Sequence, residues 1–326
     1  MSVRSILSLP LLSTYAAAAL AACGSVPNET RDAAPDGHAA DPDAMPDTPT
    51  DPVTCNPGAP FGAPVALAGL PAGNWNTARL SRDELTLYTS GAKSGGTQND
   101  LFRATRASRD AAFDELVPLR TSSMTGSDNF PSVSGDGLTI VFDSEREAGR
   151  RLYIAQRTVG AAEFPDAAMI AGVAGPGGGD TDSDPFLTDG GEELWFSSNR
   201  QGTLGNIDLY RAVKVGAGFG APEHVLALSS TESDGIPVLS ADRLTIYFQS
   251  ARGGTGTSGG FDIWTSHRST SNDGFPPPRP VTELNSAGVD WPGWLSADGC
   301  RLYLASSREG DMKLYLAERQ PGTGQP

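Results

Sequence analysis

Long amphipathic stripes are missing from this sequence. Beyond residue 24 no apolar pattern recurs with the 3.6-residue period of a helix. That excludes a helical bundle and the folds that alternate helices with strands. Histidine is scarce: His38, His224 and His267 are the three, and none sits in a His-Glu-x-x-His metal motif. Cys-x-x-Cys is absent, and Gly177-Gly178-Gly179 lacks the Lys-Ser/Thr that completes a phosphate loop. The expectation from these gaps is a protein that is not an enzyme. Positive charge is also short, with 24 Lys and Arg against 39 Asp and Glu and a net charge of -15. This excludes nucleic acid, whose phosphates need a basic footprint, and docking on anionic lipid by charge.

Glycine (39) and proline (25) are plentiful and punctuate short apolar runs, as in an all-β chain with many turns. The N-terminus is different. Met1–Arg4 is a short basic stretch, and Ile6–Leu20 is apolar but interrupted by Pro10. It is too short to span a bilayer and reads as a secretory signal, residues 1–22. The signal ends in Leu20-Ala21-Ala22-Cys23, which resembles the lipobox of bacterial lipoproteins. That resemblance implies cleavage before Cys23 and lipid on its sulfur; several acyl chains on one residue make a stable anchor. Gly24 in place of an acid implies sorting to the outer membrane, facing the periplasm or the cell surface. Residues 23–58 follow as an Asp/Pro-rich tether. From Glu29 to Asp51 seven acids face Arg31 alone, and large apolar side chains are almost absent, so the segment has nothing to bury.

From there the chain repeats. Ser81, Ser134, Thr188, Ser240 and Ser296 mark equivalent turns spaced 53, 54, 52 and 56 residues apart. Each turn is followed by an apolar strand: Leu85–Tyr88, Leu138–Phe142, Leu194–Phe196, Leu244–Phe248 and Leu302–Leu304. A Ser-x-Arg end closes four of them, at Arg146, Arg200, Arg252 and Arg308. A third strand comes next at Leu101-Phe102, Leu152-Tyr153, Leu209-Tyr210, Ile263-Trp264 and Leu314-Tyr315, and a fourth follows an aromatic and a proline. Four strands per copy at this period describe propeller blades. The last copy has no fourth strand after Ala317. Phe61-Gly62-Ala63-Pro64 reproduces Phe219-Gly220-Ala221-Pro222, so residues 61–67 are expected to supply that strand and close the ring. The predicted fold is thus all-β: a five-bladed β-propeller over residues 59–320 with N-to-C closure, preceded by signal peptide and tether and followed by a tail, 321–326. With Cys23 assigned to lipid, Cys55 and Cys300 remain as a pair beside the closing strand. They are expected to form a disulfide in an oxidising compartment.

The units resemble the TolB-type, WD-like propeller repeat, Asp-x-x-Pro-x-x-Ser-x-Asp-Gly followed by the strand, Ser-x-Arg and Asp-Ile/Leu-Tyr. The copies beginning at Asp128, Asp182, Asp234 and Asp290 carry the pattern; the first departs at Trp75 and Ala78, and the last moves its proline to Pro292. The resemblance implies a monomeric scaffold of the cell envelope that binds an envelope protein or a peptidoglycan-associated protein and meets the membrane only through its lipid. The other reading is a glycan- or peptide-acting hydrolase on the same scaffold.

Two sets of side chains are candidates for binding. Asp128, Asp182, Asp234 and Asp290 open the axis-lining strands and either ring one channel mouth or cap their own local turns. No cofactor is called for; a ring of four carboxylates makes calcium the one candidate ion. Trp291 and Trp294 are either core or a stacking surface for sugar or peptide. The Ser-x-Arg arginines are expected to brace the acid opening the third strand, Arg200 with Asp208 and Arg252 with Asp262.

Overall fold

The computed structural model describes residues 55–92, 97–122, 125–147, 149–177, 179–254, 257 and 259–320. The signal peptide, Cys23, nearly all of the tether and the tail lie outside the described residues. Strands form five antiparallel sheets; four run outward from the axis in sequence order, and the fifth takes its outermost strand, Val65–Ala66, from the N-terminal side of the first blade. The inner strands are Asn74–Trp75 with Arg79–Leu80, Asp128–Val133, Asp182–Leu187, Asp234–Leu239 and Asp290–Leu295, and they pack on one another around the axis. This is a five-bladed β-propeller. Among the described residues the only helical turn is Ala171–Val173, and no helix is long and apolar enough to cross a membrane.

Each blade is covered on both faces by its neighbours, and the second strands show it. Ile140, Val141 and Phe142 run consecutively and are all fully buried. A half-solvated strand would alternate; a strand covered on both faces does not. The preceding turns are built by the Ser-x-Asp pair. Ser134 Oγ donates to Asp136 Oδ1 (2.6 Å) and accepts from the Thr139 amide (3.0 Å), and Ser240 repeats this with Asp242 and Thr245. The turn's last residue is left-handed in all five blades: Glu84, Gly137, Gly191, Arg243 and Gly299, with φ from 60° to 73°. Glycine takes that position in three of them without steric cost.

The conserved-looking proline within the repeat marks a bulge. Register shifts between Asn129 and Ser132, Ser183 and Phe186, and Gly235 and Val238 place one extra residue on the inner strand. Proline has no N–H to offer a ladder, so a bulge is where a strand tolerates it. The residue before it is left-handed: Phe130 (φ 49°), Asp184 (53°) and Ile236 (51°). Its amide turns away from its own sheet and donates to a side chain of the preceding blade. The acceptors are Ser90 Oγ for Phe130 (3.1 Å), Asp143 Oδ2 for Asp184 (3.1 Å) and Ser197 Oγ for Ile236 (3.2 Å).

The Ser-x-Arg arginines brace the blade, but not as the sequence led us to expect. Arg146, Arg200, Arg252 and Arg308 pair with Asp128, Asp182, Asp234 and Asp290 on the inner strand, at 2.6–3.1 Å. They do not take the acid of the third strand: Asp208, expected to pair with Arg200, instead accepts from Leu204 N and faces His224 Nε2 at 2.9 Å. Each arginine also donates to a carbonyl of the segment that leads in from the outer strand of the preceding blade, as Arg200 does to Val173 O (2.8 Å). One guanidinium thereby ties the inner and second strands of a sheet to the connection from the blade before it.

A second set of arginines ends the third strands and was not anticipated. Arg106, Arg157, Arg268 and Arg319 lie over the rings of Phe113, Phe164, Phe275 and Phe61, at 4.0–4.6 Å from the ring centres. Three of these pairs are seven residues apart. The fourth joins the two ends of the chain, and it does for blade five what the local pairs do elsewhere. Around it Val65 and Ala66 pair with Leu316 and Tyr315, and Phe61 bridges Arg319. Residues 61–67 therefore complete the last blade. Cys55 and Cys300 are disulfide-bonded beside this seam, with Cα atoms 6.0 Å apart.

Candidate functional site

The axis is closed rather than hollow. Arg79, from the broken inner strand of blade one, is 1% exposed; its Nη1 donates to Gly293 O and its Nη2 to Pro237 O at 3.3 Å. Its guanidinium lies 5.0 Å from the centre of the Phe186 ring. Burial pulls its pKa down to about 9, against the attraction of Asp184. Gly293 fits here because a Cβ would meet Ala78 O at 2.6 Å.

Next to Arg79 two carboxylates from different blades come together. Asp143 lies on the second strand of blade two and is fully buried; Asp184 occupies the bulge of blade three and keeps 9% of its surface exposed. Asp143 accepts the Asp184 amide, Asn129 Nδ2 reaches it at 3.5 Å, and Arg150 Nε stands 3.5 Å away. Asp184 accepts from Ser183 Oγ at 3.1 Å. Its Oδ2 would stand 3.3 Å from a Cβ at Gly235, and Ser197 Oγ only 2.9 Å, so glycine leaves the carboxylate its space. Burial pushes Asp143 up to about 8, helped by the Asp184 charge and opposed by Arg150. Burial raises Asp184 as well, against hydrogen bonds from Ser197 and Ser183. Two carboxyl groups this close in a dry site titrate as a pair, holding a proton well above the usual carboxylate range.

The architecture does not require these acids. In the equivalent bond, Ser90 and Ser197 hold the amides of Phe130 and Ile236 with a neutral hydroxyl. Asp143 places a buried carboxylate where serine serves twice, and beside a second one. The sequence does not mark Asp143, and it marks Asp184 only as the end of the acidic run Asp180-Thr181-Asp182-Ser183-Asp184, which starts like a calcium loop but lacks its glycine and distal Glu. Both stand where the copies differ: Asp143 against Ser90, Ser197, Gln249 and Ala305, and Asp184 against Thr77, Phe130, Ile236 and Pro292.

Trp291 and Trp294 both pack against the core shared by blades one and five. Trp291 is half-buried, its ring centre 5.9 Å from that of Phe130 two blades away, and its Nε1 finds no hydrogen-bond partner. Trp294 packs on Tyr303 of its own blade (5.9 Å). The four repeat aspartates do not form an open ring. Asp128, Asp182, Asp234 and Asp290 are all 0% exposed and spent on their arginines. Asp234 and Asp290 also cap local turns, accepting the amides of Ser230 (2.7 Å) and Ser286 (2.6 Å). Calcium, the candidate ion for such a ring, would find these carboxylates already engaged, and no three His, Cys, Asp or Glu side chains gather to hold a metal among the described residues.

No protein-family model and no curated protein sequence matches the chain. Solved structures do. A "putative glycosidase" from Bacteroides thetaiotaomicron VPI-5482 is 13% identical, with 83% of this chain and 96% of that one covered and a TM-score of 0.52. A "putative glycoside hydrolase" from Parabacteroides distasonis ATCC 8503 is 11% identical, with 84% and 96% covered and a TM-score of 0.52. TolB from Acinetobacter baumannii is 15% identical, with 76% of this chain covered and a TM-score of 0.42; this chain spans 55% of its length. At such identities the likeness is one of fold. It corrects one expectation from sequence: the fold is shared with proteins described as hydrolases, so the absence of sequence motifs does not set this chain apart from enzymes.

Proposed function

We propose that this propeller binds a glycan at its axial mouth and cleaves a glycosidic bond there, with Asp184 as the group that reaches the substrate and Asp143 behind it holding the shared proton. One observation carries the reading. Two carboxylates with raised pKa values converge from different blades at positions the fold fills elsewhere with neutral residues. Glycoside hydrolysis needs a carboxyl group that keeps its proton near neutrality: the pair gives that proton to the leaving oxygen as the C1–O bond breaks, a water oxygen bonds to C1, and the water's proton returns to the pair. Trp291, half-buried, has an aromatic face of the kind that stacks on sugar rings. The test is an assay of the purified chain on aryl glycosides and oligosaccharides. Asp184→Asn should lower kcat/KM by about 100-fold or more while leaving the circular dichroism unchanged. Equal activity in the variant, or none from the wild type across the panel, overturns the reading.

A second reading is favoured by Val213, Val215 and Leu226, apolar side chains exposed on blade three. There the chain, anchored through lipid on Cys23 at the outer membrane, presents this edge to an envelope protein or a peptidoglycan-associated protein, in the manner of a TolB-like scaffold. In-cell cross-linking should then give a discrete adduct with the wild type, lost when Cys23→Ser releases the protein from the membrane. No adduct, or unchanged membrane retention of Cys23→Ser, counts against it.

A further inference from the structure

The junction between blades three and four departs from the others. At two junctions a tyrosine of the preceding blade accepts the last N–H of the strand-end arginine: Tyr303 from Arg106 and Tyr247 from Arg319, each at 2.8 Å. Tyr88 meets Arg157 in the same way. Arg268 keeps the rest of the arrangement, with Nε on Arg243 O (3.0 Å), Nη1 on Asp273 O (3.2 Å) and its plane over Phe275. The residue where its tyrosine would stand is Trp195. Indole has a donor and no acceptor. Trp195 Nε1 turns instead to Glu193 Oε2 (2.9 Å), and Arg268 Nη2 is left buried without a partner.

Further cations gather at the same place. Glu193 Oε1 already receives Arg211 Nη2 (2.9 Å) and Arg243 Nη1 (3.3 Å), so three guanidinium groups face one carboxylate. Arg211 Nε is a second buried N–H with no acceptor. Both arginines line a cleft of about 440 Å³, together with Trp195, His224 and Phe275. His224 is engaged with Asp208 and stacked on Tyr210, and does not compete for an anion. Two acids stand at the rim. Asp273 spends its carboxylate on Thr270, and Glu223 is exposed. Burial, with Arg211 and Arg243 nearby, lowers the pKa of Arg268 despite Glu193. A buried guanidinium N–H left unpaired is costly, and a carboxylate oxygen is the acceptor that satisfies it best.

We propose that this cleft is a binding site for a small carboxylate ligand, whose oxygens take the free N–H groups of Arg268 and Arg211. The site lies away from the axial acids and stands apart from the glycan reading.

The full-length chain, labelled with 15N, is titrated with sodium acetate against sodium chloride at equal ionic strength. Acetate should shift the Arg268 and Arg211 Nε–H resonances saturably, and chloride should not. Trp195→Tyr restores the missing acceptor and should weaken acetate binding about tenfold. Absence of a saturable acetate shift in the wild type overturns the proposal, whether or not the variant folds; so does acetate binding to Trp195→Tyr with unchanged affinity.

Discussion

Replacing Cys300 with serine, or reducing the wild type, is expected to lower unfolding stability by about 5 kcal/mol. The Cys55–Cys300 bond is separated by 245 residues, nearly the whole propeller. Cross-linking removes loop-closure entropy from the unfolded chain, and the term grows with the logarithm of loop length: about 4.7 kcal/mol at 100 residues and a little more here. The seam it guards is thin. The closing strand contributes two ladder pairs, one bridge, the amide bonds of Gly62 and Leu67 to blade five, and the Phe61–Arg319 stack. Domains of this kind have a stability of about 5–15 kcal/mol, so such a loss leaves a marginal fold. Urea titration with and without reductant measures it. Hydrogen exchange adds the location: on reduction the amides of Gly62 and Leu67 should lose protection first, while those of the inner strands keep theirs. A midpoint shift worth less than about 1 kcal/mol would mean that the unfolded chain gains little freedom and that the non-covalent seam suffices.

The architecture was legible because propeller blades write the same physics five times. Ser-x-Asp turns, apolar second strands and the displaced Phe61-Gly62-Ala63-Pro64 are local signals, and each recurs. The arginine brace was legible as a brace but not in its partner. Ser198 is in register with both Asp182 and Asp208, so either acid stands within reach of Arg200. Asp208 is taken by the Leu204 amide and His224, which leaves Asp182 to Arg200, and that is a tertiary fact. The second arginine set had a readable signal, arginine seven residues before phenylalanine in three copies. Its fourth member, Arg319 with Phe61, lies across the chain ends, where local spacing does not show it. The axial acids were the hardest to see. Repeat analysis rewards identity between copies, whereas Asp143 and Asp184 matter because they break it. They also stand 41 residues apart on different blades, in contact only because a bulge turns one amide toward the next sheet.

That contact has a measurable pH signature, and Asp143→Asn should reverse it. In the folded chain the Asp143 carboxyl is raised to about 8 by burial, with Asp184 adding to the rise; unfolded, it titrates near 3.9. Between those values the native state holds a proton that the unfolded state has released. Stability contributed by such a group is present in full below about pH 4 and falls as pH rises toward 8, at up to about 1.4 kcal/mol per pH unit. Asparagine keeps an acceptor for the Asp184 amide and carries no charge, as the serine oxygens do at Ser90 and Ser197. It presents an NH2 toward Arg150 or Asn129, which offsets part of the gain. At pH 5 the two proteins should lie within about 1 kcal/mol of each other, and at pH 8.5 the variant should be the more stable by about 3 kcal/mol. Denaturant midpoints across that range provide the measurement; parallel curves for the two proteins would show that Asp143 does not hold the proton. A substitution that stabilises the fold at alkaline pH and abolishes glycoside cleavage would place this acid among residues kept for chemistry at the expense of stability. A serine at the same position should do likewise, because two neighbouring blades already use one there.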